Sequence, residues 1–254
     1  IVRIAGNYDE SVQEAASLAA AHGWQVIADT SYDGYEDIPR DVMQGYGAIA
    51  EEIVEQTSAQ RGRAGAFTHV FLQGGVGGMA AGLASYFWEY HGPQRPRFIS
   101  VEPAQADCLL QSAIQGRPAK ATGTVDSVMA GLACGETSPL AWRFLQPCVD
   151  VFMTIEDEQA IEAMRTLAQG SERDTPIVAG ESGVAGLAAL EWLRSDPQRS
   201  EQVGLTAESR VLIISTEGAT APREYTRLVG QSAEQVLQRQ QAWQTAHSLQ
   251  TQPA

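Results

Sequence analysis

Between residues 67 and 90 the chain passes from an apolar stretch through a glycine-rich turn into a stretch of small residues. This order predicts a buried β-strand, a tight turn and an α-helix. Glycine lets the backbone approach an anion closely, and the start of a helix adds unpaired N–H donors and the positive end of the helix dipole. We therefore predict a phosphate-binding turn. Its residues are Gly74, Gly75, Val76, Gly77 and Gly78.

The turn by itself leaves the identity of the phosphate open. Gly75 to Ala80 fits the pattern G-x-G-x-x-A, and Glu102 follows Gly75 by 27 residues, at the end of the next predicted strand. Dinucleotide sites have this arrangement, with the acid about 20 residues downstream. A pyridoxal phosphate or a sugar phosphate would use the same donors. A glycine turn also serves simply to pack a helix onto a sheet.

Strand and helix patterns alternate along the chain, which predicts an α/β fold with a mostly parallel sheet and helices on both faces. We predict strands at residues 2–5, 24–28, 67–72, 96–101, 149–153 and 211–214. We predict helices at residues 9–22, 39–55, 79–90, 104–115, 138–145, 157–167 and 181–193, and a solvated helix after residue 225. Ligands in such folds bind beyond the carboxyl ends of the strands.

Composition narrows the class of protein. The formal net charge of −14 argues against nucleic-acid and anionic-membrane partners, because polyanions would be repelled. No apolar run reaches about 18 residues, so we expect no membrane-spanning helix. The first residues lack the basic and apolar segments of a signal peptide. The three cysteines have no zinc-ligand spacing and suit a reducing cytoplasm. We therefore expect a cytoplasmic protein without a metal site.

Four residues at predicted strand ends are candidates for the ligand site, and each has a structural alternative. Asp29 either moves a proton or caps the turn that follows it. Ser215 or Thr216 either bonds a ring nitrogen or closes a turn. Tyr8 packs either on a flat cofactor or in the core.

Two further features stay open. Glu181 is either a site carboxylate or an acid that the helix dipole favours in a first turn. Cys108 and Cys134 flank an irregular glycine-rich segment, and in a reducing compartment we expect buried free thiols rather than a disulfide.

The chain also carries an ordered series of short motifs: Asn7-Tyr8-Asp9, Asp29-Thr30, Gly34-Tyr35, Ile38-Pro39, Met43-Gln44-Gly45-Tyr46, residues 73–79, Val101-Glu102-Pro103, Ala106-Asp107-Cys108, residues 129–136, Gly180-Glu181-Ser182-Gly183 and residues 214–218. This series resembles diaminopropionate ammonia-lyase, a fold-type-II pyridoxal-phosphate enzyme related to threonine dehydratase and the tryptophan synthase β subunit. The resemblance runs from residue 1 to about residue 229 and is most specific at residues 29–35 and 129–136.

The resemblance implies conversion of 2,3-diaminopropionate to pyruvate and two ammonia molecules, with pyridoxal phosphate as electron sink. It implies that the glycine turn holds the cofactor phosphate and that Ser215, or its neighbour Thr216, faces the pyridine nitrogen. Asp29 corresponds to one of the family's two site aspartates, which handle the proton or the substrate's amino group. Tyr8 corresponds to a position close to the cofactor. A homodimer is also implied.

The family's Schiff-base lysine, its turn for the substrate carboxylate and its second aspartate have no match here, so the resemblance implies an enzyme lacking its N-terminal part. Lys120, the only lysine, lies in a glycine-rich loop and does not match that lysine. We therefore expect the chain alone to be inactive. A catalytically inactive protein of this fold and an NAD(P)-binding oxidoreductase are the alternatives.

The same resemblance implies a division into domains. We predict the remainder of a smaller N-terminal domain and a crossover at residues 1–62. A large pyridoxal-phosphate-binding domain follows at residues 63–230, and a C-terminal helix and tail at residues 231–254.

Overall fold

The computed structural model describes residues 1–61 and 67–250. The strands of its sheet are β1 (His69–Gln73), β2 (Arg97–Pro103), β3 (Val151–Ile155) and β4 (Val211–Ile213). They are all parallel and lie in the order β3-β2-β1-β4. The prediction of an α/β fold with a parallel sheet is confirmed.

Helices cover the sheet. Those before residue 120 are α1 (Tyr8–His22), α2 (Asp37–Gly45), α3 (Gly47–Arg61), α4 (Gly78–His91) and α5 (Cys108–Gln115). Those after it are α6 (Pro139–Cys148), α7 (Asp157–Gln169), α8 (Ala185–Arg194), α9 (Pro197–Gln202), α10 (Pro222–Val229) and α11 (Ala233–Gln250). Single turns of 3₁₀-helix lie at Gly92–Gln94 and Ala130–Leu132.

The interior strand β1 lies between β2 and β4. Its register pairs Gln73 with Val101 of β2, and Phe71 with Ile213 of β4. From β1 the chain passes through α4 to β2 on one side, whereas the partner on the other side, β4, comes much later in the sequence. In parallel sheets, ligands bind where the connections of neighbouring strands diverge in this way. The topology therefore favours a site at the carboxyl ends of β1 and β4.

Apolar side chains cover both faces of the sheet, which explains why β1 reads as an apolar run rather than an alternating pattern. All of its residues are buried. Phe71 faces a core that includes residues of α7, α8 and α10. Val70 and Leu72 face a second core, which includes residues of α4 and α6. The glycine turn after β1 is thus anchored from two sides.

Two strands predicted near the start of the chain are wrong. Residues 2–5 and 24–28 pair with no strand within the described part of the chain, and Trp24 and Ile27 are 62% and 78% exposed. A strand needs a hydrogen-bonded neighbour to satisfy its backbone groups. The apolar pattern of these segments is therefore insufficient to make them strands.

Helix starts follow their capping residues more closely than their apolar patterns. α1 begins at Tyr8, one residue before the predicted start, because Asn7 accepts hydrogen bonds from two first-turn amides and the Asn7 N–H donates to Glu10. The helix predicted at residues 39–55 is two helices, separated at Tyr46 between two poor helix formers, Gly45 and Gly47. The helix predicted after residue 225 is two helices, α10 and α11, and α9 was not predicted. Both α9 and α10 begin with proline, a usual first helical residue.

Some of the predicted domain boundaries fall outside the residues that the structure describes. The boundary after residue 62 falls in residues 62–66, and the end of the predicted tail in residues 251–254, both outside the described residues. α11 packs on the core through Val236, which is fully buried. Of the helices that the structure describes, none combines the length and apolar character needed to cross a bilayer.

Candidate functional site

A cleft of about 420 Å³ opens at the carboxyl ends of β1 and β4. It brings together parts of the chain that are distant in sequence: the start of α1, the glycine turn, the 3₁₀ turn near residue 131 and the segment after β4. Seven of the predicted site residues line it: Tyr8, Asp29, Gly75, Val76, Gly77, Gly78 and Thr216. The other two, Gly74 and Ser215, lie outside its lining.

The glycine turn places uncapped amide groups at the start of α4. The residue before this helix, Gly77, has φ of +101°, and no side chain caps the helix. The Ala81 N–H is bonded within the helix, to the Gly77 carbonyl oxygen at 2.9 Å. The N–H groups of the first turn that precede it have no partner inside the helix. They provide the donors that an anion in the cleft requires.

Tyr8 and Asp29 form a hydrogen-bonded pair at the cleft. The Tyr8 phenol donates to Asp29 Oδ1 at 2.8 Å. Burial and, next, the Asp29 carboxylate raise the pKa of Tyr8 above its ordinary value, so that this phenol stays a donor under alkaline conditions. Asp29 itself is exposed. The pair therefore offers an accessible carboxylate whose orientation is set by Tyr8.

Gln73, which sequence reasoning missed, connects β1 to the segment after β4. Its Nε2 donates to the Ile214 carbonyl oxygen at 2.7 Å and to Thr216 Oγ1 at 2.9 Å. Gln73 is 3% exposed, and its Oε1 has no hydrogen-bond partner among the described residues. Leaving a buried polar atom unpaired costs on the order of 1–3 kcal/mol. The only signal in the sequence is a polar residue at the end of an apolar strand.

The turn at residues 180–183 supports the rim of the cleft rather than presenting Glu181 to it. Ser182 Oγ accepts from the Gly131 N–H at 3.0 Å, and the Ser182 N–H donates to Glu217 Oε2 at 2.7 Å. Glu181 is buried and lies outside the lining. It also precedes α8, which begins at Ala185, so it is not the first-turn acid that the sequence pattern suggested.

Glu102 lies against the glycine turn and is fully buried. Its carboxylate accepts from the backbone N–H groups of Leu109 and Leu110, at 2.7 and 2.8 Å, and so caps the start of α5. Burial raises the pKa of Glu102 to about 8, although these hydrogen bonds oppose the shift. A dinucleotide site needs an acid that reaches the ribose. The position of Glu102 therefore argues against the dinucleotide interpretation.

Lys120 lies away from the cleft. Its Nζ is 2.5 Å from Glu136 Oε1, the side chain is 76% exposed, and the residue lines a separate cavity of about 710 Å³. The expectation that Cys108 and Cys134 are buried free thiols agrees with the structure, where Cys148 is also free. Burial, above all, raises the pKa of Cys134 to about 12, which keeps this thiol protonated at neutral pH.

A model of the family described as pyridoxal-phosphate dependent enzyme matches residues 1–217. The chain belongs to this family. The predictions of a fold-type-II enzyme and of pyridoxal phosphate as its cofactor are confirmed.

The chain is also similar to individual members of the pyridoxal-phosphate dependent enzymes. Diaminopropionate ammonia-lyase of Escherichia coli (strain K12) is 41% identical over 226 residues, which cover 88% of this chain and 56% of the relative. The enzyme of Salmonella typhimurium (strain LT2) is 39% identical over 235 residues, covering 89% and 58%. The predicted resemblance is confirmed. The chain spans a little more than half the length of these relatives.

Solved structures of pyridoxal-phosphate dependent enzymes are also similar to this chain. The crystal structure of Escherichia coli diaminopropionate ammonia lyase, in complex with an aminoacrylate-PLP azomethine reaction intermediate, superposes with a TM-score of 0.80 at 39% identity. The match covers 90% of this chain and 58% of that one. The processed form of threonine deaminase isoform 2 from Solanum lycopersicum, at 22% identity and a TM-score of 0.67, shares the fold; that match covers 91% of this chain and 60% of the other.

The residues of the cleft fit this cofactor. The uncapped start of α4 offers amide donors to a phosphate. A side chain at Gly75 would crowd this part of the turn, since its Cβ would lie 3.2 Å from Cys134 Sγ. Thr216 is exposed and lines the cleft, so its hydroxyl is a candidate donor to the ring of the cofactor.

Proposed function

We propose that this chain is the cofactor-binding part of a diaminopropionate ammonia-lyase. The reaction takes 2,3-diaminopropionate and one water to pyruvate and two ammonia molecules. One observation carries the proposal: the uncapped glycine turn and the Asp29–Tyr8 pair line the same cleft. The similarity to two diaminopropionate ammonia-lyases supports the choice of substrate.

The predicted site residues that line the cleft then have these roles. The amides of the glycine turn bind the phosphate, and the Thr216 hydroxyl faces the ring nitrogen. Pyridoxal phosphate, when bound, supplies an electron sink for negative charge at the substrate Cα. Asp29 moves a proton at Cα or at the departing β-amino group, and Tyr8 holds the Asp29 carboxylate in place.

Assembly and location are parts of the same proposal. We propose a homodimer in the cytoplasm, where the free thiols of Cys108, Cys134 and Cys148 stay reduced. We also propose the division at residues 1–62, 63–230 and 231–254, with the site on the middle domain. Size-exclusion chromatography with light scattering measures the mass of the assembly in solution. A monomeric mass would refute the dimer.

The test uses the full-length gene product that contains this sequence, loaded with pyridoxal phosphate. We expect it to release pyruvate from 2,3-diaminopropionate, which a coupled reduction to lactate measures. Asp29→Asn should lower kcat by about 10²-fold or more, since general acid–base groups contribute this much. Asp41→Asn, on the exposed face of α2, is the matched control and should leave kcat unchanged.

Two outcomes would count against the proposal. Absence of pyruvate would favour the alternative of a catalytically inactive protein of this fold. Pyruvate release by Asp29→Asn at the rate of the control would remove Asp29 from the mechanism while leaving the substrate assignment intact.

A further inference from the structure

We propose that Gln73 is a positioning residue that directs the hydroxyl proton of Thr216 into the cleft, toward an acceptor nitrogen of the bound ring. The inference rests on the proposed function, because that acceptor is the pyridine nitrogen of the cofactor. It goes beyond that function in naming the residue that determines which way Thr216 donates. The geometry of one amide group carries it.

The orientation of the Gln73 amide is determined by its surroundings. The Ile214 carbonyl oxygen lies 2.7 Å from Nε2 and can only accept a hydrogen bond. With the amide turned over, two oxygens would face each other at this distance. The nitrogen therefore points toward the segment after β4, and it has two hydrogens to donate. Ile214 takes one of them.

The second amide hydrogen determines the role of the Thr216 hydroxyl. It is donated to Thr216 Oγ1, 2.9 Å away, and so occupies a lone pair of that oxygen. A threonine hydroxyl has one proton and two lone pairs. Since Oγ1 accepts from Gln73, its own proton is free for an acceptor in the cleft, where Thr216 is exposed. A pyridine nitrogen that carries no proton is such an acceptor.

Glutamine suits this position at the end of β1, because its amide donates to both oxygens without adding a charge. A glutamate would accept the Thr216 proton, and the hydroxyl would then present a lone pair that favours a protonated ring. A methionine would leave the hydroxyl unconstrained. This requirement explains why a buried amide is found there even though its Oε1 has no partner among the described residues.

The experiment measures the protonation of a bound ring rather than turnover. Pyridoxine 5′-phosphate, which has no aldehyde, is titrated into the full-length protein freed of its cofactor, and the absorbance of the bound ring is followed against pH. In the wild type we expect a ring without a proton on nitrogen at neutral pH. In Gln73→Glu the bound ring should take up its proton at a pH at least one unit higher.

The control separates donation through Thr216 from the added charge. In a Thr216→Val background the effect of Gln73→Glu should disappear, because the hydroxyl that transmits it is gone. Should Gln73→Glu fail to fold, Gln73→Met provides the second measurement. Where Thr216 is present, Gln73→Met should weaken the affinity for pyridoxine 5′-phosphate about fivefold, which corresponds to one neutral hydrogen bond. In the Thr216→Val background, Gln73→Met should leave this affinity unchanged.

The outcomes are distinguishable. Identical ring protonation and affinity in the wild type and both Gln73 variants would overturn the inference alone. If Gln73→Glu still raises the pH of ring protonation in the Thr216→Val background, the effect comes from the added charge, and the inference is also overturned. Absence of saturable binding by the wild type would overturn the proposed function, and this inference with it.

Discussion

Replacing Gly77 by alanine tests how the glycine turn is built. Gly77 has φ of +101° and ψ of −4°. A Cβ there would lie 2.8 Å from Leu145 Cδ1 and 3.2 Å from Ala141 Cβ. A positive φ costs an L-residue about 1–2 kcal/mol, and overpacking a core costs about 1–3 kcal/mol. We expect Gly77→Ala to lower the free energy of unfolding by roughly 2–5 kcal/mol.

The chain offers a matched control for the backbone contribution. Gly230 has nearly the same conformation, φ of +81° and ψ of 3°, and a Cβ there would meet no atom within 4 Å. Gly230→Ala should therefore lose only about 1–2 kcal/mol. The difference between the two variants measures the steric contact of the added Cβ with α6 and with Leu109 of α5.

Two assays read the result. Urea unfolding followed by far-ultraviolet circular dichroism measures the free energy of unfolding, and fluorescence titration measures the affinity for pyridoxine 5′-phosphate. Gly77→Ala should also weaken this affinity, because the strained turn displaces the amides that start α4, whereas Gly230→Ala should not. Equal destabilisation by the two variants, or unchanged affinity in Gly77→Ala, would refute the reasoning.

Two further predictions concern pH. Burial raises the pKa of Glu102 from 4.5 to about 8, so the folded state holds this proton more tightly than the unfolded state does. The free energy of unfolding should therefore fall as pH rises from 4.5 to 8, by at most about 5 kcal/mol. In Glu102→Gln, urea titrations should show a free energy of unfolding that changes less with pH over this interval. The same pH dependence in the wild type and the variant would contradict the prediction. Tyr8→Phe should lower kcat/KM of the full-length enzyme by up to about tenfold through loss of the bond to Asp29. The ratio of kcat/KM between the wild type and Tyr8→Phe should stay constant from neutral pH to pH 10, because the pKa of Tyr8 is raised above 10. A ratio that falls to one as the pH rises would refute this role of Tyr8.

Short sequence patterns predicted the strand, turn and helix starts that are formed by residues adjacent in the sequence. The order of an apolar strand, glycines and small residues is enough to predict β1, its turn and α4, because the backbone groups involved belong to one short segment. The Asn7 cap of α1 is predictable for the same reason. Residues 24–28 show the limit of such signals, since a strand also requires a neighbour that a pattern does not supply.

The role of a polar residue depended on packing between distant segments. Glu102 and Asp29 both looked like acids at strand ends, yet Glu102 is buried as the cap of α5 and Asp29 is exposed at the cleft. Ser215 and Thr216 were equivalent in the sequence, and only Thr216 lines the cleft.

By itself, the sequence determined the class of fold, the position of an anion-binding turn and, through its motifs, the family and its cofactor. These follow from periodicity, glycine placement and motif order, which are properties of the chain. Only the tertiary structure decided which carboxylate and which hydroxyl reach the cleft, and it added Gln73. The physical reason is that the hydrogen bond between Gln73 and Thr216 joins residues 143 positions apart. They meet only because β1 and β4 pair in the folded sheet.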